Sequence, residues 1–229
     1  MSALAFTILA VLLAGPTPAL LARATWPLRA PRAAMVLWQA IALAAVLSSF
    51  SAGIAIASRL LMPGPDGRPT TSFVGAAGRL GWPPGVRSRV VVSEGTLTAL
   101  ADAEVAAILT HERAHLRARH DLVLEAFTAV HAAFPRLVRS ANALGAVQLL
   151  VELLADDAAV RAAGRTPLAR ALVACASGRA PSGALAVGGP STVLRVRRLS
   201  GRGNSAVLSA AAYLAAAAVL VVPTVALAV

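Results

Sequence analysis

The sequence contains no lysine, one cysteine, and few aromatic or acidic residues. All 21 basic residues are arginine, and only ten acidic residues balance them, so the formal net charge is +11. A strongly basic chain suggests nucleic-acid binding, but such surfaces combine basic clusters with aromatic side chains, which here make up only 4% of the chain. We therefore expect no nucleic-acid partner. Because Cys175 is alone, an intramolecular disulfide is excluded, and the residue is interpreted as a small buried apolar side chain.

Apolar residues are abundant. They form 58% of the chain, whereas soluble domains reach about 45–50% even when glycine is counted. The mean hydropathy is +0.73. No charged side chain precedes Arg23 or follows Arg202, and all acidic residues lie between Asp66 and Asp157. The pattern predicts apolar ends that face a lipid bilayer and a polar middle segment.

Three apolar stretches, 3–22, 33–58 and 205–229, have about the 20 residues that a membrane-spanning helix needs. Pro16 and Pro18 predict a kink in the first. A cleaved signal peptide is the alternative for it, but the first residues lack the basic side chains of such a peptide, so a retained span is favoured. We expect an N-terminal membrane region over 1–61, a catalytic segment over 62–203 and a C-terminal transmembrane helix over 204–229, with no sensor domain after it.

The middle segment begins with a Pro/Gly-rich linker over 62–86, followed by a short β-branched run, 89–93, that predicts one strand. Asp102 is a candidate N-cap for an amphipathic helix that extends to about Arg119. Further helices are predicted over 121–132, from about Ser140 to Gly164, and over 167–177. The fold class expected is a mainly α membrane protein with one minimal β edge strand.

His111, Glu112 and His115 form the pattern HExxH on the predicted amphipathic helix. Residues four apart lie on one helix face, so both imidazoles can bind one metal ion while the glutamate reaches a water bound to it. A catalytic zinc ion takes three protein ligands and one water. Glu152, in Val-Glu-Leu-Leu-Ala-Asp-Asp on another helix, is the candidate third ligand. The alternative, two core histidines beside a surface glutamate, would bury polar groups without partners.

Two segments, Val-Ala-Ala-Ile-Leu-Thr-His-Glu-Arg-Ala-His-Leu and the later Glu-Leu-Leu-Ala-Asp-Asp, resemble the membrane-integral gluzincins. The similarity is to BlaR/MecR-type metallopeptidases and, more distantly, to HtpX-type ones. It covers residues 88–175 and extends weakly to the flanking spans. Relatives of this type have another span where this chain has the linker. The resemblance implies a zincin-like catalytic domain in which a peptide substrate lies along the strand that precedes the helix.

The resemblance also implies a role for each matching residue. One Zn²⁺ per chain would be bound by His111, His115 and Glu152, with Glu112 as the general base. Asp156 would orient one of the histidines, although Asp157 is an alternative. The function implied is zinc-dependent endopeptidase activity in regulatory proteolysis, on a transcriptional repressor or a membrane protein. A non-proteolytic membrane regulator with a structural zinc fold is the main alternative, and a small cationic pore or lipid-binding protein is another.

Two further arginines and one histidine are assigned expected roles from their positions in the sequence. Arg161 and Arg165 are candidates to stabilise the oxyanion of the transition state, although solvated arginines on a helix surface are the favoured alternative. His120 lies nine residues after His111, which on a continuous helix places it on the opposite face, so a supporting role at the helix end is expected instead.

The sequence gives contradictory indications of membrane orientation. Arginines in the loop between the first two spans and those at 195–202 both indicate the cytoplasmic side of a bacterial membrane. A single crossing at 33–58 would place the two groups on opposite sides. The family resemblance favours a cytoplasmic active site.

Overall fold

A computed structural model of the chain describes residues 3–61, 100–133, 141–177, 190–201 and 203–228. Within these ranges the regular structure is helical and includes no strand. The predicted linker at 62–86 and the predicted strand at 89–93 lie outside the described residues. The helices are α1 (Ala3–Ala14), α2 (Pro16–Leu21), a 3₁₀ turn (Trp26–Arg29), α3 (Pro31–Leu61), α4 (Asp102–Ala118), α5 (His120–Ala133), α6 (Ala141–Ala163), α7 (Arg165–Ser177), α8 (Pro190–Ser200) and α9 (Ala206–Ala228).

Within the described ranges, two segments are long and apolar enough to cross a membrane, by length and composition. They are Leu4–Leu21, of 18 residues, and Pro31–Ile54, of 24 residues. The expected kink in the first falls at Gly15, where α1 ends and α2 begins. The start of α9 is a shorter apolar helix, Ala206–Val221. These elements match the three apolar stretches of the sequence.

Small side chains let α3 pack closely against α1 and α9. Ala34 and Ala44 are completely buried, and Ala40 and Ala216 are nearly so. Such residues allow helix backbones to approach, which is how helices associate where lipid weakens the hydrophobic driving force. Large apolar side chains instead point outward from these helices: Leu4, Ile8, Phe50, Val207 and Leu214.

The remaining helices surround α6. Its Val147 and Leu150 pack on Trp38 of α3, whereas Ala159 packs with Ala107 of α4 in a second cluster that α7 and α8 complete. Because His111 of α4 lies beside Asp156 and His115 lies beside Glu152, α4 and α6 run antiparallel. This arrangement joins the metal-ligand motif to the second acidic segment.

Helix α4 begins and ends at positions that determine what surrounds its histidines. Asp102, predicted as the N-cap, lies in the first turn, and the cap residue is Ala101, whose N–H donates to the Glu104 carboxylate. At the other end Arg119 takes a left-handed conformation, with φ 50° and ψ 47°. The chain turns there, and α5 begins at His120. The predicted end of this helix at about Arg119 is therefore confirmed, whereas the continuous helix on which the expected position of His120 rests is wrong.

The two groups of arginines lie at the same end of the structure. Arg198 Nε donates to the carbonyl oxygen of Leu28 at 2.6 Å, and the N–H of Ser205 donates to the carbonyl oxygen of Arg29 at 2.7 Å. The loop before α3 thus contacts the loop before α9. The expectation that a crossing at 33–58 separates these groups is corrected, because α3 and α9 both begin at this end.

Candidate metal centre

Three potential ligands meet where α4 crosses α6. His111 and His115 are one helical turn apart and turn their Nε2 atoms toward each other, 3.0 Å apart. Glu152 of α6 places Oε2 at 3.3 Å from Nε2 of His111 and Oε1 at 3.6 Å from Nε2 of His115. In the described part of the chain, these residues form a group with ligand atoms all within 4.8 Å of one another.

The spacing of these atoms fits a tetrahedral zinc ion. Zinc–nitrogen and zinc–oxygen bonds of about 2.0–2.1 Å at tetrahedral angles separate neighbouring ligand atoms by roughly 3.3 Å. The two nitrogens are 3.0 Å apart, and each lies 3.3 or 3.6 Å from a different oxygen of Glu152, so these separations are close to that value. Two imidazoles and one carboxylate are also the donor set of a catalytic zinc site, which keeps its fourth position open.

Asp156 contacts His111 at its Nδ1 atom, the ring nitrogen that does not face the other candidate ligands. It is completely buried, and its Oδ1 lies 3.0 Å from Nδ1 of His111, away from the ideal line of a hydrogen bond. Arg195 of α8 binds the same carboxylate with two donors, Nε to Oδ2 at 2.8 Å and Nη2 to Oδ1 at 2.6 Å. Its third donor, Nη1, lies 2.9 Å from Oε2 of Glu152. One guanidinium therefore holds both acidic residues.

The histidines differ in their electrostatic environment. Burial alone lowers the pKa of His111, but the carboxylates of Asp156 and Glu152 outweigh burial and raise it to about 9. For His115, burial and then the charge of His111 lower the pKa. Metal binding requires neutral imidazoles, so a metal ion must displace a proton from His111.

Both acidic side chains stay ionised. Burial alone raises the pKa of Glu152, but hydrogen bonding to His111 and the charge of Arg195 lower it overall. Burial also raises the pKa of Asp156, and the hydrogen bonds from Arg195, followed by the close approach of His111, lower it overall. The centre thus provides a negatively charged ligand beside two imidazoles.

The centre opens into a cleft of about 500 Å³. Glu112 is exposed on α4 and lines this cleft beside both histidines, so its carboxylate is accessible to water. Cys175, expected to be buried, is half-buried and also lines the cleft. The remaining lining residues are Glu152, Arg195, Ile108, Leu168, Leu172, Ser191 and Thr192.

Arg161 and Arg165 lie elsewhere. Both line another cavity, together with Asp157 and Arg198. Nη1 of Arg165 donates a hydrogen bond to the carbonyl oxygen of Gly201 at 3.2 Å. Asp157 accepts a hydrogen bond from Nη1 of Arg198 at 2.7 Å, so its side chain faces this second cavity and not the histidines. The structure does not bring the two predicted oxyanion-stabilising arginines to the metal centre.

His120, expected on the opposite face, lies beside His115. It is buried, with its Nδ1 3.0 Å from Nδ1 of His115. Burial, and then the charge of His115, lower the pKa of His120 to about 4. The expected face was wrong because it was derived for a helix that continues through Arg119, whereas α4 ends there.

Arg195 is the site residue that sequence reasoning missed. In the sequence it is one of several arginines in a basic cluster that indicates membrane orientation. A signal was present, since α8 reads Pro-Ser-Thr-Val-Leu-Arg-Val-Arg-Arg-Leu-Ser with Arg195 between apolar neighbours. Neither the spacing of residues nor the composition could identify its partner Asp156, which lies 39 residues earlier in the chain.

A helical fold that places HExxH on one helix and a candidate glutamate ligand on an antiparallel one has the arrangement expected of a metallopeptidase. The sequence model of Peptidase family M48 matches residues 79–203, more than half of the chain. The chain therefore belongs to peptidase family M48, a family of metallopeptidases. No curated protein and no solved structure matches it significantly.

Proposed function

We propose that this protein is a membrane-bound zinc endopeptidase with its active site at the centre formed by His111, His115 and Glu152. The observation that carries the proposal is the open geometry of that centre. Structural zinc sites are closed by four protein ligands, whereas catalytic sites keep one position for water or substrate. Three ligands beside a cleft of about 500 Å³ fit the catalytic type.

A zinc ion held by these ligands would supply Lewis-acid chemistry, acidifying a water molecule and polarising a peptide carbonyl. Glu112 lies next to His111 in sequence and lines the cleft, so its carboxylate can accept the proton of the attacking water. The same carboxyl group then donates that proton to the amine that leaves. Arg195 keeps Glu152 in place, because one of its donors lies 2.9 Å from that side chain.

Membrane attachment is supported by the outward-facing apolar side chains of α1, α3 and α9. Leu4 is 69% exposed, Val207 79% and Leu214 72%. Soluble proteins rarely leave a large contiguous apolar surface uncovered. A bilayer around these helices would cover it.

The arginines at one end of α3 and α9 favour the cytoplasmic side of a bacterial membrane for that end. Asp157, one residue from Asp156, is bound by Arg198 at this end, so the metal centre lies close to it. The substrate class that fits is a protein or peptide presented from the cytoplasm, such as a transcriptional repressor or a membrane protein. Such proteolysis would be regulatory.

The test is Glu112→Gln in the full chain, purified in detergent. We expect zinc content to stay at one ion per chain while hydrolysis of casein, or self-cleavage, is lost. The amide has the shape of the carboxylate but cannot accept the proton. Loss of a general base costs typically 10²–10⁴-fold in rate. Glu125→Gln, on the exposed surface of α5, is the matched control and should keep full activity.

Other outcomes would point elsewhere. Zinc lost together with activity in Glu112→Gln would mean that the glutamate is a ligand. A wild-type protein that binds zinc but cleaves nothing would favour the non-proteolytic regulator. A protein that binds no zinc would refute the proposed function.

A further inference from the structure

His120 is buried against the metal centre but is not one of its candidate ligands. Its ring is perpendicular to that of His115, with an interplanar angle of 86° and centroids 4.9 Å apart. The two Nδ1 atoms are 3.0 Å apart, within hydrogen-bonding distance. Only 6% of the residue is exposed, so bulk water does not replace this contact.

We propose that His120 is a positioning residue for the metal ligand His115. Its Nδ1 accepts a hydrogen bond from the Nδ1–H of His115, which leaves Nε2 of His115 with a free lone pair aimed at the metal. This inference rests on the proposed function, because it assigns a role relative to the zinc ion.

The direction of the hydrogen bond follows from the ligand role. A neutral imidazole carries one proton, on Nδ1 or on Nε2. His115 turns Nε2 toward Nε2 of His111 and toward Glu152, at 3.0 and 3.6 Å. Binding a metal through Nε2 therefore requires the proton on Nδ1, which must be donated. The acceptor within reach is Nδ1 of His120, whose own proton then lies on Nε2. The reverse assignment would direct a proton at the metal position.

The backbone break at Arg119 creates this contact. On a continuous α-helix, residues five apart are separated by about 140° around the axis, at 100° per residue. Arg119 instead adopts φ 50° and ψ 47°, a left-handed conformation that non-glycine residues rarely take. Its N–H still closes the last turn of α4 onto the carbonyl oxygen of Leu116. The strained residue brings His120 beside His115.

The arrangement gives each ligating histidine a separate partner. Nδ1 of His111 faces Asp156, and Nδ1 of His115 faces His120. Metal-bound histidines nearly always donate their second N–H in this way, which sets the tautomer and the ring orientation. The partner of His115 is a neutral ring, whereas that of His111 is a carboxylate.

The test compares His120→Leu with His120→Asn in the full chain purified in detergent. The Oδ1 of asparagine and a δ-carbon of leucine can both occupy the place of Nδ1, but only the oxygen accepts a hydrogen bond. The zinc dissociation constant is measured by competition with a chelator, and the visible spectrum of the Co²⁺ form reports ligand geometry. We expect His120→Leu to weaken zinc binding about 10–100-fold, the usual effect of such partners, and His120→Asn to stay close to wild type.

The thermal stability of the metal-free protein separates positioning from packing. A merely structural His120 would lower the metal-free Tm and leave zinc affinity equal in both variants. Asp121→Asn is the control for disturbance of the α4–α5 junction, and it should bind zinc as the wild type does. If His120→Leu does not fold, His120→Ala replaces it.

Equal zinc affinity in wild type, His120→Asn and His120→Leu would overturn the inference while leaving the proposed function intact. Equal weakening in the asparagine and leucine variants would overturn it as well. Absence of zinc binding in the wild type would instead refute the proposed function. Weakening confined to the variant without an acceptor supports the inference.

Discussion

Replacing Arg195 with methionine should make the stability of this protein depend on zinc. In the wild type the guanidinium binds Asp156 through two hydrogen bonds and reaches Glu152 at 2.9 Å. Asp156 is completely buried, and Arg195 is only 6% exposed. Methionine keeps a long apolar side chain in the same space but leaves the two carboxylates without the guanidinium, beside the histidines.

The size of the effect follows from that burial. Removing one partner of a buried ion pair costs about 3–5 kcal/mol, because the other charge stays desolvated. In chains of 150–250 residues, each kcal/mol shifts Tm by roughly 2–4 °C. The metal-free variant should therefore melt roughly 6–20 °C below the metal-free wild type. A zinc ion bound at His111 and Glu152 restores positive charge beside the carboxylates, so added zinc should raise the Tm of the variant more than that of the wild type.

The assay is thermal unfolding of the detergent-solubilised full chain, with and without saturating zinc. Asp156→Asn in the Arg195→Met background removes the uncompensated charge, so the double variant should be more stable than the sum of the two single losses predicts. Arg197→Met, an exposed arginine on the same helix, is the matched control and should shift Tm little. A metal-free Arg195→Met variant that melts within about 2 °C of wild type would refute the reasoning, since a buried ion pair cannot be lost at so small a cost.

Three further predictions concern the ligands, their protonation and the membrane. Glu152→Ala should abolish stoichiometric zinc binding, measured by metal analysis, while Asp157→Ala should keep it; the opposite result would mean that the acidic segment is assigned wrongly. Because the pKa of His111 is raised to about 9, its contribution to the stability of the metal-free protein is complete below about pH 6.5 and is lost as the pH rises toward 9. Zinc affinity, measured by chelator competition, should rise about tenfold per pH unit over the same range, and a flat profile would contradict a protonated His111. Single cysteines at Arg23 and Arg197, in a Cys175→Ser background, should react with an impermeant reagent from the same side of the membrane. Labelling from opposite sides would rule out the contact between the loop before α3 and helix α8.

The chemistry of the site is local enough to be read from the sequence. His111 and His115 must share a face of any helix, because four residues make about one turn. The apolar spans are equally local, since a run of uncharged residues needs no knowledge of its neighbours. Gly164, with φ 89°, ends α6 where the sequence predicted.

Contacts between distant segments required the tertiary structure. Asp156 and Asp157 are adjacent and chemically identical, and only the direction of α6 decides that one faces His111 and the other faces Arg198. Arg195 could not be separated from its neighbours in sequence, because its role depends on carboxylates of another helix. The same reason explains why the sequence could not decide whether Arg161 and Arg165 reach the metal centre.

The position of His120 shows most clearly where sequence reasoning ends. Its distance from His115 depends on one residue, Arg119, in a conformation that its side chain does not favour. Helical periodicity assumes an unbroken helix, so a single left-handed residue reverses the predicted face. The sequence by itself determined the metal-binding motif and the apolar helices, because both depend on neighbours along the chain. Only the tertiary structure decided which arginine, aspartate and histidine surround the motif, because those contacts depend on how the helices turn and pack.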